Sequence, residues 1–131
     1  VKHTLKKSER LKSRLAIGEV YTKGKTLKKY PILAKFTPYI FNDNEVLKMG
    51  VAVPKKRIRK AVHRNRIRRQ IKEAYRLNKW MLKEELTANK TSLALFFIYT
   101  GKENVDYSEI EAKIKVILKD LRKQITNDKE N

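Results

Sequence analysis

The stretch from Ser92 to Tyr99, SLALFFIY, constrains the fold of this chain more than any other segment. Its apolar residues run almost without a break, a polar stretch precedes them, and Gly101 follows. The run is far too short to cross a bilayer, and it lacks the alternation of a strand with one wet face. It therefore reads as a strand buried on both faces and central in its sheet, and the rest of the chain has to cover it.

Apolar spacing assigns the other elements. Ile110, Ile114, Ile117, Leu118, Leu121 and Ile125 mark a strong helical stripe, opened by Asp106 with Glu109 three residues later as a capping box. Ala61 to about Leu82 is a second helix. At 100° per residue, Ile67, Ile71, Ala74, Tyr75, Leu77 and Met81 fall within roughly 80° of Ile67 and should face the core. From Ser8 to about Lys23, Leu11, Leu15, Ile17, Val20 and Tyr21 recur at helical spacing until Gly24 stops the pattern. Between Thr26 and Phe41 the β-branched and aromatic content rises, with Pro31 and Pro38 pointing to one long, irregular edge strand. Asn42 to Asn44 form a turn cluster, and Val46 to Val53 reads as a second strand closed by Pro54, so a hairpin is the economical pairing. The expected order is α-β-β-α-β-α in a single α+β domain, one pair of layers over residues 1–131, with 1–7 and 126–131 flexible.

Charge then narrows the function. Lys and Arg number 33 against 14 Asp and Glu, a formal net charge of +19 on 131 residues, which calls for a polyanionic partner. The chain has no cysteine, which removes disulfides, thiolate metal sites and thiol nucleophiles and fits a reducing, cytoplasmic setting. No segment has the length of a membrane span or the apolar core of a signal peptide. A protein nuclease needs a general acid and base or carboxylates gathered round a metal. The histidines are His3 and His63, in different segments, and the acids are scattered without a D-x-D or H-E-x-x-H arrangement. No catalytic residue and no protein metal site is assigned, and His63 reads as a packed or rim histidine.

The charge is densest from Pro54 to Arg69, PKKRIRKAVHRNRIRR, with nine Lys or Arg and no acid. On the helical wheel Arg68, Lys72, Asn65, Arg76, Arg69 and Arg66 lie opposite Ile67, with Glu73 among them. One face packs and the other is left for binding. The helix start adds outward N–H groups and the positive end of its dipole, which reinforce Lys55, Lys56, Arg57, Arg59 and Lys60 in the loop before it. Arginine's planar fork suits phosphate oxygens and stacking on bases. A solvated helix face can also be basic, but uncompensated like charges repel, so without an anionic ligand this face would be destabilising.

Within this segment Lys60 to Arg69, K-A-V-H-R-N-R-I-R-R, resembles the RNR signature of the bacterial ribonuclease P protein. The resemblance extends from L-K-S-R-L-A-I-G-E-V-Y-T-K-G-K near the N-terminus, through G-V-A-V-P-K-K, to the hydrophobic strand and the closing helix. It implies a sandwich similar to domain 2 of ribosomal protein S5 with a left-handed crossover around the RNR helix. It also implies a subunit that assists endonucleolytic removal of the 5′ leader from precursor tRNA, with the chemistry and its Mg²⁺ held by the RNA subunit.

Two surfaces follow from that likeness. Lys55, Lys56, Arg57, Arg59, Lys60, Arg64, Asn65, Arg66, Arg68, Arg69 and Lys72 would meet the RNA subunit. A cleft between the first helix and the sheet would receive the single-stranded leader of precursor tRNA, with Ile17 and Tyr21 on the helix and Lys35 and Phe36 on the strand. Such binding rests on stacking and basic residues more than on base edges. Arg57, Ile58 and Arg59 stand where many members have a shorter, glycine-containing connection. A ribosomal or other structural RNA-binding protein would use the same basic helix. A DNA-binding helix would want a partner helix before Ala61, where the sequence reads as strand.

Overall fold

The computed structural model describes residues 6–130, with side chains described through Thr126. Expectations for residues 1–5 and 131 lie outside the described residues. A 3-10 turn (Lys7–Glu9) precedes α1 (Arg14–Lys23), β1 (Lys25–Lys29), β2 (Ile32–Pro38), β3 (Leu47–Ala52), α2 (Ala61–Asn78), α3 (Trp80–Ala88), β4 (Leu93–Tyr99) and α4 (Tyr107–Glu130).

The sheet order is β1-β2-β4-β3. The apolar run is β4, and it is central: β2 pairs with it antiparallel and β3 pairs with it parallel. Leu93, Leu95, Phe97 and Tyr99 face one layer, while Ala94 and Phe96 face the other. That is why its sequence does not alternate. On the first side Ile32, Ala34 and Phe36 of β2 join Leu47 and Met49 of β3 beneath Ile67, Ile71 and Tyr75 of α2, Leu82 and Leu86 of α3, and the stripe of α4 from Ile110 to Leu121. The second side is smaller. Ala16 and Val20 of α1 pack with Leu11, Phe41, Ala94 and Phe96.

Several expectations are corrected. The long strand from Thr26 to Phe41 is two strands, β1 and β2, folded back at Tyr30 and Pro31, because Pro31 has no N–H to continue a ladder. The expected hairpin with Val46 to Val53 does not form, since β4 inserts between β2 and β3. The sheet carries helices on both faces, so the two-layer expectation gains a partial third layer in α1. The first helix begins at Arg14, where the Ser13 hydroxyl caps it by accepting from the Ala16 N–H at 3.3 Å. Leu11 is therefore packed from an extended segment whose N–H donates to the Met49 carbonyl, and Leu15 is left 78% exposed.

The helix expected from Ala61 to Leu82 also breaks, at Lys79. The Asn78 side-chain amide donates back to the Ala74 carbonyl at 2.7 Å, and Lys79 turns inward to a buried ion pair with Glu9. The new helix α3 points Leu82 and Leu86 into the core and leaves Met81 57% exposed. Leu77, at the limit of the expected arc, is also exposed. At the start of α4 the Asp106 backbone carbonyl accepts from the Glu109 and Ile110 N–H groups, so the cap observed there is backbone to backbone.

Candidate RNA interface

The loop before α2 is anchored, so its cations are held in place. Ile58 is buried in the main core, and the N–H groups of Arg57 and Ile58 donate to the Pro54 carbonyl. Arg57 reaches across to the Thr100 carbonyl at 2.9 Å. Arg64 turns back, its guanidinium donating to the carbonyls of Ile58 and Arg59 at 3.0 and 2.6 Å. Of the motif's arginines, Arg64 therefore fixes the loop, and Lys55, Lys56, Arg59 and Lys60 stand exposed around it. The inward Ile58 packs the Arg57 to Arg59 loop against the main core.

Along α2, Asn65, Arg66 and Arg69 are exposed, and Arg68 donates to the Asn65 side-chain carbonyl at 2.7 Å. That bond orients Asn65 with its amide N–H₂ free to donate outward. Lys72 is half-buried, and its ammonium is pushed below the usual lysine range, chiefly by desolvation and then by Arg10 and Arg68. Arg10 comes from the segment before α1, so the cationic surface continues beyond α2. Sequence reading missed it because the two meet only in the folded chain. His63 sits half-buried at the rim, its Nδ1 at 3.0 Å from the Asn104 side-chain amide. Glu73, the acid on the basic face, is paired with Arg76.

The second surface lies on the α1 side of the sheet. Tyr21 is 46% exposed, with its ring centroid 5.6 Å from that of Phe96 and the Lys35 ammonium 5.3 Å above it. Ile17 is half-buried beside them and packs against the small core. Phe36 is not there. It is 6% exposed in the main core under α3 and α4, because neighbours on a strand face opposite ways and Lys35 takes the cleft side. The ring that accompanies Tyr21 is instead Phe96, which pairs with Lys35 across β2 and β4 and with Gly50 across β3 and β4. Gly50 leaves room for it: a Cβ there would lie 2.5 Å from the Phe96 ring. Leu33, Ala52 and Ile98 extend this face as half-buried neighbours, with Ala52 and Ile98 packed against the small core. Alternation within SLALFFIY would have found Phe96 and Ile98 once the first helix was assigned to the opposite face.

Among the described residues no three His, Cys, Asp or Glu side chains come together as metal ligands, and no helix is long and apolar enough to cross a membrane.

A small, strongly basic α+β protein thus presents a cationic helix on one surface and, on another, the exposed Tyr21 ring beside that of Phe96 with the Lys35 ammonium above it. The model of the ribonuclease P family matches residues 5–122, and the chain belongs to that family. It is similar to the ribonuclease P protein component of Porphyromonas gingivalis, at 36% identity over 107 residues covering 82% of this chain and 78% of that one. It is also similar to that of Syntrophus aciditrophicus, at 33% identity over 129 residues covering 97% and 98%. Among solved structures, the ribonuclease P protein of Thermotoga maritima superposes with a TM-score of 0.67 at 25% identity, covering 86% of this chain and 96% of that one. The Staphylococcus aureus protein has the same fold, with a TM-score of 0.66 at 20% identity and 86% and 94% covered. The family assigns the chain to ribonuclease P as its protein subunit and to tRNA processing.

Proposed function

We propose that this chain binds the RNA subunit of ribonuclease P with the RNR helix and its loop, and the 5′ leader of precursor tRNA with the α1 cleft. The observation that carries this reading is the separation of two surfaces on opposite faces of one sheet. Exposed Arg66 and Arg69, oriented Asn65 and the loop cations Lys55, Lys56, Arg57, Arg59 and Lys60 offer a dense array for structured RNA. Arg64 acts by tethering that loop, and Arg68 and Lys72 form the half-buried margin of the array. Tyr21, Phe96 and Lys35 offer stacking planes and a cation, and Ile17 lines their base, which suits a single strand read without base-edge specificity.

The protein then raises substrate affinity and lowers repulsion between two RNAs. The RNA subunit performs the cleavage that yields the mature tRNA 5′ end and holds the Mg²⁺, and the protein supplies orientation in the cytoplasm. In this reading the β3-α2-α3-β4 connection is the crossover that the resemblance implies to be left-handed, in a sandwich similar to domain 2 of ribosomal protein S5. Depletion in cells tests the function against a purely structural ribosomal role. Precursor tRNAs with extended 5′ ends accumulate if the proposal holds, while normal 5′ ends with a defective ribosomal subunit would overturn it.

A further inference from the structure

A cavity of about 460 Å³ opens at the end of the sheet where β4 begins, apart from both surfaces described above. Its floor is apolar, made by Phe36, Leu86, Leu93, Leu121 and Ile125 from four elements. Asn89, Ser92 and Gln124 add hydrogen-bonding groups, and among the described residues the charged side chains on its wall are Lys23, Lys25 and Lys90, with no acid. A flat apolar body carrying an anion is the complement of such a site, and a nucleotide has that chemistry.

Lys90 adds a second observation. It ends α3 in the left-handed region, with φ of 53°, where glycine is the less strained residue. The turn is fixed by the Lys90 and Thr91 N–H groups donating to the carbonyls of Thr87 and Leu86. The chain thus holds a cation at the cavity mouth at a position where the backbone favours no side chain.

Position selects which RNA would enter. The RNR loop leaves the sheet beside Thr100, at the far end of β4, about 20 Å from Leu93 along a seven-residue strand. The leader platform is much nearer. Lys23 and Lys25 flank Gly24, where α1 meets β1 and a Cβ would run into the Val20 carbonyl and lie 3.1 Å from that of Phe36. Tyr21 lies two residues before Lys23. On β2, Lys35 faces the platform and its neighbour Phe36 lies on the cavity floor. A single strand leaving Tyr21 and Lys35 has only to round this fixed junction to reach the cavity.

We propose that the cavity receives one unpaired nucleotide of the precursor-tRNA leader, its base on the apolar floor and its phosphate among Lys23, Lys25 and Lys90. The proposal rests on the leader reading of the α1 cleft. The test uses the reconstituted holoenzyme, with precursors whose leaders either end at the Tyr21 platform or continue several nucleotides further. Ala88, exposed at the cavity wall, is replaced by Trp to fill the space, and Lys90→Gly removes the cation without backbone strain. Each variant should weaken binding of the long-leader precursor about tenfold, leaving the short-leader precursor and the RNA subunit unaffected. An unchanged long-leader affinity, an equal loss with both leaders, or a loss of RNA-subunit binding would overturn it. If the wild-type protein gives no leader dependence at all, the cleft reading itself fails. The cavity is then judged on the protein alone with a photoreactive single-stranded oligonucleotide: a crosslink within Asn89 to Ser92 that Ala88→Trp abolishes supports a nucleotide site, and its absence refutes one.

Discussion

The ion pair between Glu9 and Lys79 joins the segment before α1 to the break between α2 and α3, and its side chains are only 2% and 3% exposed. Lys83 adds a second contact to the same carboxylate at 3.3 Å. In so dry a site, Glu9→Gln removes the charge that balances Lys79 while keeping the shape. Breaking a buried pair from one side is destabilising by about 3–5 kcal/mol, a large part of the roughly 5–15 kcal/mol of a typical domain. With a urea m value of about 2 kcal/mol/M, the midpoint should fall by about 2 M at neutral pH. Lys79→Met should cost a similar amount, because among the described residues it leaves the buried carboxylate only the longer contact to Lys83. The double variant Glu9→Gln/Lys79→Met, which removes the buried charges together, should recover most of the loss, giving a coupling well above 1 kcal/mol in the cycle. The assay is urea titration of all four proteins, followed by two optical probes to establish a common transition. Single variants that lose less than about 1 kcal/mol, or a double variant whose loss is the sum of the singles, would refute the reasoning.

Arg66→Ala and Arg69→Ala should each flatten the dependence of log K on log salt for the RNA subunit by about 0.7–0.9, measured by filter binding across a salt series, and an unchanged slope would remove them from the phosphate contacts. Gly50→Ala should displace the Phe96 ring, costing about 1–3 kcal/mol by denaturant titration and weakening leader binding while RNA-subunit affinity holds. The Tyr99 phenol, whose hydroxyl donates to the Glu103 carbonyl, has its pKa pushed up to about 12, chiefly by burial. Its neutral form is favoured by folding, so the associated stability is present below about pH 10 and is lost as pH rises towards about 12. In stability measured across that window, the alkaline decline should be smaller in Tyr99→Phe than in the wild type.

Sequence legibility followed locality. The stripes of α2 and α4 and the unbroken apolar run of β4 record burial directly, so Ile67, Ile71, Ile110, Ile114 and Ile117 were placed from spacing alone. The insertion of β4 between β2 and β3 was illegible, because pairing over long separations leaves no local mark. The break at Lys79 was hidden for the same reason: its cause is an ion pair 70 residues away in sequence. At the candidate interface, composition and the helical wheel placed the cations, yet only the fold separates Arg64, spent on the loop's carbonyls, from Arg66 and Arg69, which remain exposed. The cleft was half legible. Tyr21 and Lys35 meet, whereas Phe36 lies in the main core and Phe96 stands beside Tyr21, through the two-residue period of their strands.

Reconstitution with a ribonuclease P RNA at low Mg²⁺ is the most direct measurement of the central claim. Cleavage of precursor tRNA and its affinity should both rise when the protein is added, and the gain in affinity should shrink when the leader is removed from the substrate. Equal cleavage and binding with and without the protein would contradict the account.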